Sequence, residues 1–275
     1  MLLRDVGGVL ARIVLGLEYC GAGYEGWQTQ RHGRTVQDCL VPAVSAIAGE
    51  TIVLTCAGRT DAGVHAAVQI VHFDTSANRP LTAWVRGVNS HLPASIAVRW
   101  AREVGNDFHA RFSASARRYR YVLLNRPVRS ALLHGRVGWF HAPLELRAMQ
   151  AATAHLLGTH DFSSFRAAEC QARTPVRDLK VAEVTQQGDW FIFDFEANAF
   201  LHHMIRNLVG ALVYVGKGRH SSDWMAELLA QCDRRLAPPT FSPEGLYLAG
   251  VEYPDSWNLP DEGRIIAPAF LPSGF

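Results

Sequence analysis

Ala57-Gly58-Arg59-Thr60-Asp61-Ala62-Gly63-Val64-His65-Ala66 sets one carboxylate between two glycines, with Arg59 two residues before it. An apolar run from Ile52 to Cys56 precedes the stretch, and an alternating run from Val68 to Phe73 follows it. It therefore reads as a tight loop joining two strands. Gly58 and Gly63 permit backbone angles and close approaches that other residues resist. A carboxylate beside a guanidinium stays ionised at neutral pH and keeps one orientation, which suits a nucleophile. A turn whose Asp only hydrogen-bonds its own backbone accounts for the same residues equally well.

Outward from this loop, strands are expected at about 51–57 and 67–74. Upstream, Ile13, Leu15, Leu17 and Tyr19 alternate along a strand from Arg12 to Tyr19. Thr35 offers an N-cap to a helix carrying Val36, Leu40, Val44 and Ile47 on one side, and Pro42 within it is expected to cause a kink. Pro80 can open a second helix to about residue 91, and Ile96 to Arg102 forms a further strand. The order is β-α-β-β-α-β, the ferredoxin-like split arrangement. The second half repeats it with longer inserts: strand 118–124, helix 144–157, strands 178–186 and 190–197, helices 201–215 and 221–231, and strand 246–252. The expected fold class is α+β: two ferredoxin-like halves, residues 11–112 and 113–275, with a cleft between their sheets and a loose leader over residues 1–10. Segment 158–178 has no clear period and is long for a plain connection, which marks it as a binding element or an irregular surface loop.

The chain has 275 residues and 48% hydrophobic content, enough for two compact units. No run approaches the ~20 apolar residues of a membrane span, and no signal peptide is evident. Five cysteines lie far apart without a C-x-x-C pair, which argues against disulfides and structural zinc and points to a reducing cytoplasm. The twelve histidines show no H-x-x-x-H or H-E-x-x-H spacing backed by carboxylates, so no metal is expected. Net charge is only +2, yet of 27 basic residues only Lys180 and Lys217 are lysine. Arginine's planar fork grips phosphates and stacks on bases as an ammonium cannot, although a GC-rich genome produces the same bias. Between Arg111 and Arg136 there are seven arginines and no Asp or Glu, an electrostatic footprint for a polyanion.

Two further places bear on Asp61. Alternation puts Tyr119, Tyr121 and Leu123 on one strand face and Arg118, Arg120 and Val122 on the other. A tyrosine beside arginines can stack on a base while guanidinium groups take phosphates; a core tyrosine under a solvated arginine edge fits equally. In the predicted helix from Leu201, His203, Arg206, Asn207 and Gly210 cluster opposite Leu201, Ile205, Leu208 and Leu212. That polar stripe holds an arginine and no acid to pair with it.

Taken together, these stretches closely resemble the tRNA pseudouridine synthase A family (TruA), whose signature loop matches 57–66. Further matches are Tyr24-Glu25-Gly26-Trp27-Gln28 with Thr35-Val36-Gln37, Phe108-His109-Ala110-Arg111-Phe112, Arg117-Arg118-Tyr119-Arg120-Tyr121, Gly158-Thr159-His160-Asp161-Phe162, Phe200 to Asn207, and Ser242 to Leu248. Pro42 and the segment before Ala11 depart from the family pattern. The resemblance implies a pseudouridine synthase-type fold and a cytoplasmic, homodimeric isomerase without cofactor or metal. Its reaction would convert uridine to pseudouridine in the tRNA anticodon stem-loop, around positions 38–40. It implies Asp61 as the nucleophile, Tyr119 against the target base and Arg206 paired with Asp61. Arg59 would fill the space the base vacates, and Leu246 would form an apolar wall. Arg111, Arg117, Arg118 and Arg120 are expected to face the tRNA. Three alternatives remain: a non-catalytic tRNA-binding or remodelling protein, a metal-dependent hydrolase using His65, His72, His202 or His203, and the same enzyme class acting on another RNA.

Overall fold

Ile13, Leu15, Leu17 and Tyr19 are all buried and hold strand β1 (Ala11–Tyr19) inside a sheet. It lies antiparallel between β3 (His65–Thr75) and β4 (Ile96–Val104). The computed structural model describes residues 10–31 and 33–260; apart from Leu10, the expected leader lies outside the described residues.

Helix α1 (Val36–Ala48) begins in a capping box, Thr35 Oγ1 accepting from Asp38 N while the Asp38 carboxylate accepts from Thr35 N. It runs through Pro42, which is exposed, so the carbonyl that loses its N–H donor can turn to water. Strand β2 (Thr55–Cys56) is far shorter than the expected 51–57. Beyond that ladder with β3, Ile52 N donates to Ser45 Oγ, and the Glu50 carboxylate accepts from Thr75 Oγ1 and Ser76 N at the far end of β3. The second helix of this half spans residues 81–89 and contains a wide π-type stretch, Ala83–Gly87.

The second half contributes β5 (Ala116–Asn125), β6 (Gly138–Phe140), α2 (Leu146–Ala154), β7 (Gly158–Asp161), β8 (Val176–Gln187) and β9 (Trp190–Ala197). Helices α3 (Met204–Gly216) and α4 (Trp224–Gln231) and strand β10 (Leu246–Glu252) complete it. The sheet runs β4-β1-β3-β10-β5-β9-β8-β7, with β2 beside β3 and β6 beside β5. Divided between β3 and β10, it reads β4-β1-β3-β2 on one side and β10-β5-β9-β8 on the other. That is the ferredoxin-like strand order twice over.

The two units do not present separate sheets to a cleft, as the sequence suggested. They fuse into one sheet through a short parallel seam, Tyr247 opposite His65 and Leu248 opposite Ala66. One core gathers α1 against β1 and β3; another gathers Phe191, Phe193 and Phe195 of β9 against α2, α3 and α4. Tyr119 packs against both. Among the described residues no helix is long and apolar enough to cross a membrane, and none of the five cysteines forms a disulfide.

Candidate active site

The 57–64 loop lies immediately before the seam and is held from several sides. Trp27 N donates to Thr60 O (3.0 Å), Tyr19 Oη pairs with Thr60 Oγ1 (2.8 Å) and Gln69 Nε2 donates to Gly58 O (2.6 Å). Gly63 takes φ +77°, the left-handed region, whereas Gly58 does not. Gly26, at φ +94°, lets the 24–28 stretch pass so close that a Cβ there would stand 2.7 Å from Thr60 O. These contacts explain why Tyr24–Gln28 accompanies the loop in sequence: it buttresses the loop.

Asp61 sits in a cleft of about 1190 Å³, with its side chain 20% exposed. Its cation is Arg206, not Arg59: Arg206 Nη1 lies 3.3 Å from Asp61 Oδ2. Arg206 is itself fixed, Nε donating to Phe241 O at 2.8 Å. His202 Nε2 stands 3.4 Å from Oδ1 and His203 Nε2 3.5 Å from Oδ2. Burial works to raise the Asp61 carboxyl, but the His202 hydrogen bond and the charges of His203, His202 and Arg206 outweigh it, and the net direction is down. His202 is raised by its bond to Asp61, while His203 is lowered, chiefly by burial. The two imidazoles lie 4.0 Å apart with their planes tilted by 37°, so a charge on either opposes a charge on the other.

Tyr119 reaches the same cleft from β5, with Phe200 edge-on to its ring at 5.0 Å. Burial first, and then the charge of Asp61, push its hydroxyl well above the ordinary phenol range, so it stays a proton donor. Leu246, at the start of β10, is buried in the cleft wall, and Arg59 is exposed at the cleft. Asp61, Arg59, Tyr119 and Leu246, from both sides of the seam, thus line one cleft, and Arg206 reaches it through its bond to Asp61. Glu169 to Ala172 line it too, which ties part of the aperiodic 158–178 segment to the site.

The arginine stretch requires correction. Arg117 is buried and donates to the carbonyls of Ala57, Arg111, Ala114 and Asn198, so it staples the loop. Arg118 pairs with Glu196 (2.7 Å) and Glu252, and Arg120 is buried and bidentate on Asp194 (2.8 and 2.9 Å). Neighbouring strands β9 and β10 supply the acids that the local sequence lacks. Of the four predicted RNA contacts, only Arg111 is exposed. Arg120→Ala is therefore expected to cost about 2–4 kcal/mol of stability by stranding Asp194. The slope of tRNA affinity against salt should not change; thermal melts and salt titrations read the two effects separately.

The polar stripe on α3 also resolves differently. The helix starts at Met204, after His203 in a left-handed conformation (φ +62°). Asn207 is fully buried, donating to Phe165 O (2.8 Å) and accepting from Arg234. His202 and His203 were missed as neighbours of Asp61; the available signal was a doubled histidine three residues before an unpaired arginine. His65 and His72 are structural. His65 Nδ1 accepts from Gly21 N and its Nε2 faces Glu244 O, while His72 Nδ1 accepts from Ala110 N. Asp61, His202 and His203 place three donor atoms within 4.8 Å of one another, a spacing a metal ion could bridge. The same carboxylate already faces a guanidinium, whose charge opposes a second cation.

A family model described as tRNA pseudouridine synthase matches residues 17–113 and 152–254, which include the loop, α3 and β10. The chain is 63% identical over 250 residues to tRNA pseudouridine synthase A of Dechloromonas aromatica, covering 91% of this chain and 95% of that one. It is 62% identical over 261 residues to the protein of the same name from Aromatoleum aromaticum, covering 95% and 99%. The chain belongs to the tRNA pseudouridine synthase A family.

Proposed function

We propose that this chain isomerises uridine to pseudouridine in the anticodon stem-loop of tRNA, with Asp61 as the nucleophile. The observation that carries this reading is the Asp61–Arg206 pair, made between residues 145 apart in the chain, with Asp61 and Tyr119 lining one cleft.

The reaction breaks the N1–C1′ bond, turns the uracil and rejoins it through C5; N1 gains a proton and C5 gives one up. Electrons balance without an oxidant or reductant, so the chemistry calls for no redox cofactor. The base must first leave the stack, at a cost of a few kcal/mol. Arg59 at the cleft fits the space the base vacates, Tyr119 fits against the flipped ring and Leu246 walls the pocket. Asp61 then attacks C6 of the uracil or C1′ of the ribose, or removes a proton from the sugar. Each route needs an ionised carboxylate, a fixed cation and little water, the environment that burial and Arg206 give Asp61. Among Arg111, Arg117, Arg118 and Arg120, we assign the phosphate contact to Arg111, which is exposed and lines the cleft. We further assign the chain to a cytoplasmic homodimer, on family resemblance; sedimentation velocity tests the assembly.

Pseudouridine mapping of bulk tRNA tests the function directly. Cells lacking this protein should lose the modification in the anticodon arm, and wild-type re-expression should restore it. Unchanged anticodon-arm pseudouridine in the deletion strain would rule out the assignment, and restoration by Asp61→Asn would favour a binding or remodelling role.

A further inference from the structure

The turn that joins β4 to β5 carries a feature that the isomerisation chemistry does not use. His109 accepts two backbone amides on one atom, Nδ1, from Arg111 N (3.1 Å) and Phe112 N (3.2 Å). Its own amide donates to Ser113 Oγ, and its carbonyl accepts from Ser113 N, both at 2.9 Å. Behind it stands His72, 4.9 Å away between ring centroids and anchored by the amide of Ala110. His109 is thus a fixed ring on a fixed turn. Phe112 stacks on it with centroids 4.3 Å apart and planes 28° from parallel, yet Phe112 is 75% exposed.

A phenyl ring left in water forgoes burial, and a lone exposed one is common enough. This one differs in two respects. It is immobilised by a stack and a hydrogen-bonded turn, and the Arg111 guanidinium lies 5.6 Å from its centroid. Both side chains line the cleft that contains Asp61 and Tyr119. A rigid aromatic face with a cation beside it is the arrangement that takes an unstacked base and its phosphate.

We propose that Phe112 is a stacking platform for an unpaired nucleobase of the substrate RNA at the cleft, with Arg111 holding the adjoining phosphate. The proposal rests on the reading of this chain as a tRNA-modifying enzyme, and not on which atom Asp61 attacks.

The test uses the full chain and a tRNA transcript carrying 2-aminopurine at successive unpaired positions of the anticodon loop. Wild type should quench the probe at one position; Phe112→Ala should abolish that quenching and weaken tRNA binding on the order of tenfold. The Michaelis constant should rise by the same factor with kcat within about twofold, and Phe112→Trp should restore both quenching and affinity. The thermal melt should not move between variants, which separates stacking from a folding defect. Unchanged affinity and quenching in Phe112→Ala overturns the proposal, as does a variant whose main effect is loss of self-association. Absence of pseudouridine formation by wild type, with stacking and affinity behaving as described, would overturn the enzymatic reading and spare the platform.

Discussion

Asp61→Asn is expected to lower pseudouridine formation by ~10³-fold or more while tRNA affinity stays within a few-fold of wild type. Loss of a nucleophile can cost as much as roughly 10⁶ in kcat in a well-dissected hydrolase. The Asn side chain keeps the shape, and its single amide oxygen can still accept from Arg206 or His202, which meet different oxygens of Asp61. The backbone bonds that hold the loop should preserve its conformation. What disappears is the charge and, with it, the capacity to attack carbon or to take a proton. Affinity should survive because RNA binding draws mainly on cationic contacts to phosphate, which a carboxylate does not make. Tritium release from 5-tritiated uridine in tRNA, measured in single turnover, reads the chemical step. If Asp61→Asn retains a tenth of wild-type activity, the carboxylate is not the nucleophile.

Arg206→Ala should have the next largest effect, a fall of roughly 10²- to 10³-fold in the single-turnover rate. The guanidinium is fixed by Phe241 O at one edge and meets Asp61 at another. Its removal leaves a mostly buried carboxylate with only imidazoles for company, and the acid's pKa must then rise. The sign of the pH effect follows. Asp61 lies below its ordinary value when folded, so its charge contributes above the usual carboxylate range near ~4 and is lost as pH falls through the lower folded value. The acid limb of the wild-type rate profile should therefore lie below the ordinary carboxylate range, and that of Arg206→Ala should move upward. Arg206→Lys should recover little, because an ammonium cannot span Phe241 O and Asp61 together. An unmoved acid limb in the alanine variant would separate Arg206 from the ionisation of Asp61.

Much of the architecture was legible because its signals are local. Alternation marked β1 and β5, Thr35 before the helical spacing of Val36, Leu40, Val44 and Ile47 marked α1, and a carboxylate between glycines marked the loop. What escaped depends on neighbours distant in the chain. Arg118 and Arg120 looked unneutralised because Asp194, Glu196 and Glu252 lie on other strands, and strand register is not written in the segment it neutralises. Residues 51–54 looked like strand because Ile52 and Leu54 are buried, yet burial alone does not make a ladder. His203 and Asn207 read as part of one polar stripe on a helix. The first is instead held in a left-handed bend before the helix, and the second is sealed inside it.

The seam between β3 and β10 has a consequence for synthesis as well as for shape. A chain emerging from the ribosome exposes Asp61 early, but the strand that closes the second unit and flanks that loop arrives about 185 residues later. Until residues 246–252 slot in beside His65 and Ala66, the pocket has no Leu246 wall and the loop has one open edge. No truncated or half-made product can therefore carry a finished reaction chamber, and any proteolytic nick that frees this strand should silence the enzyme before it unfolds.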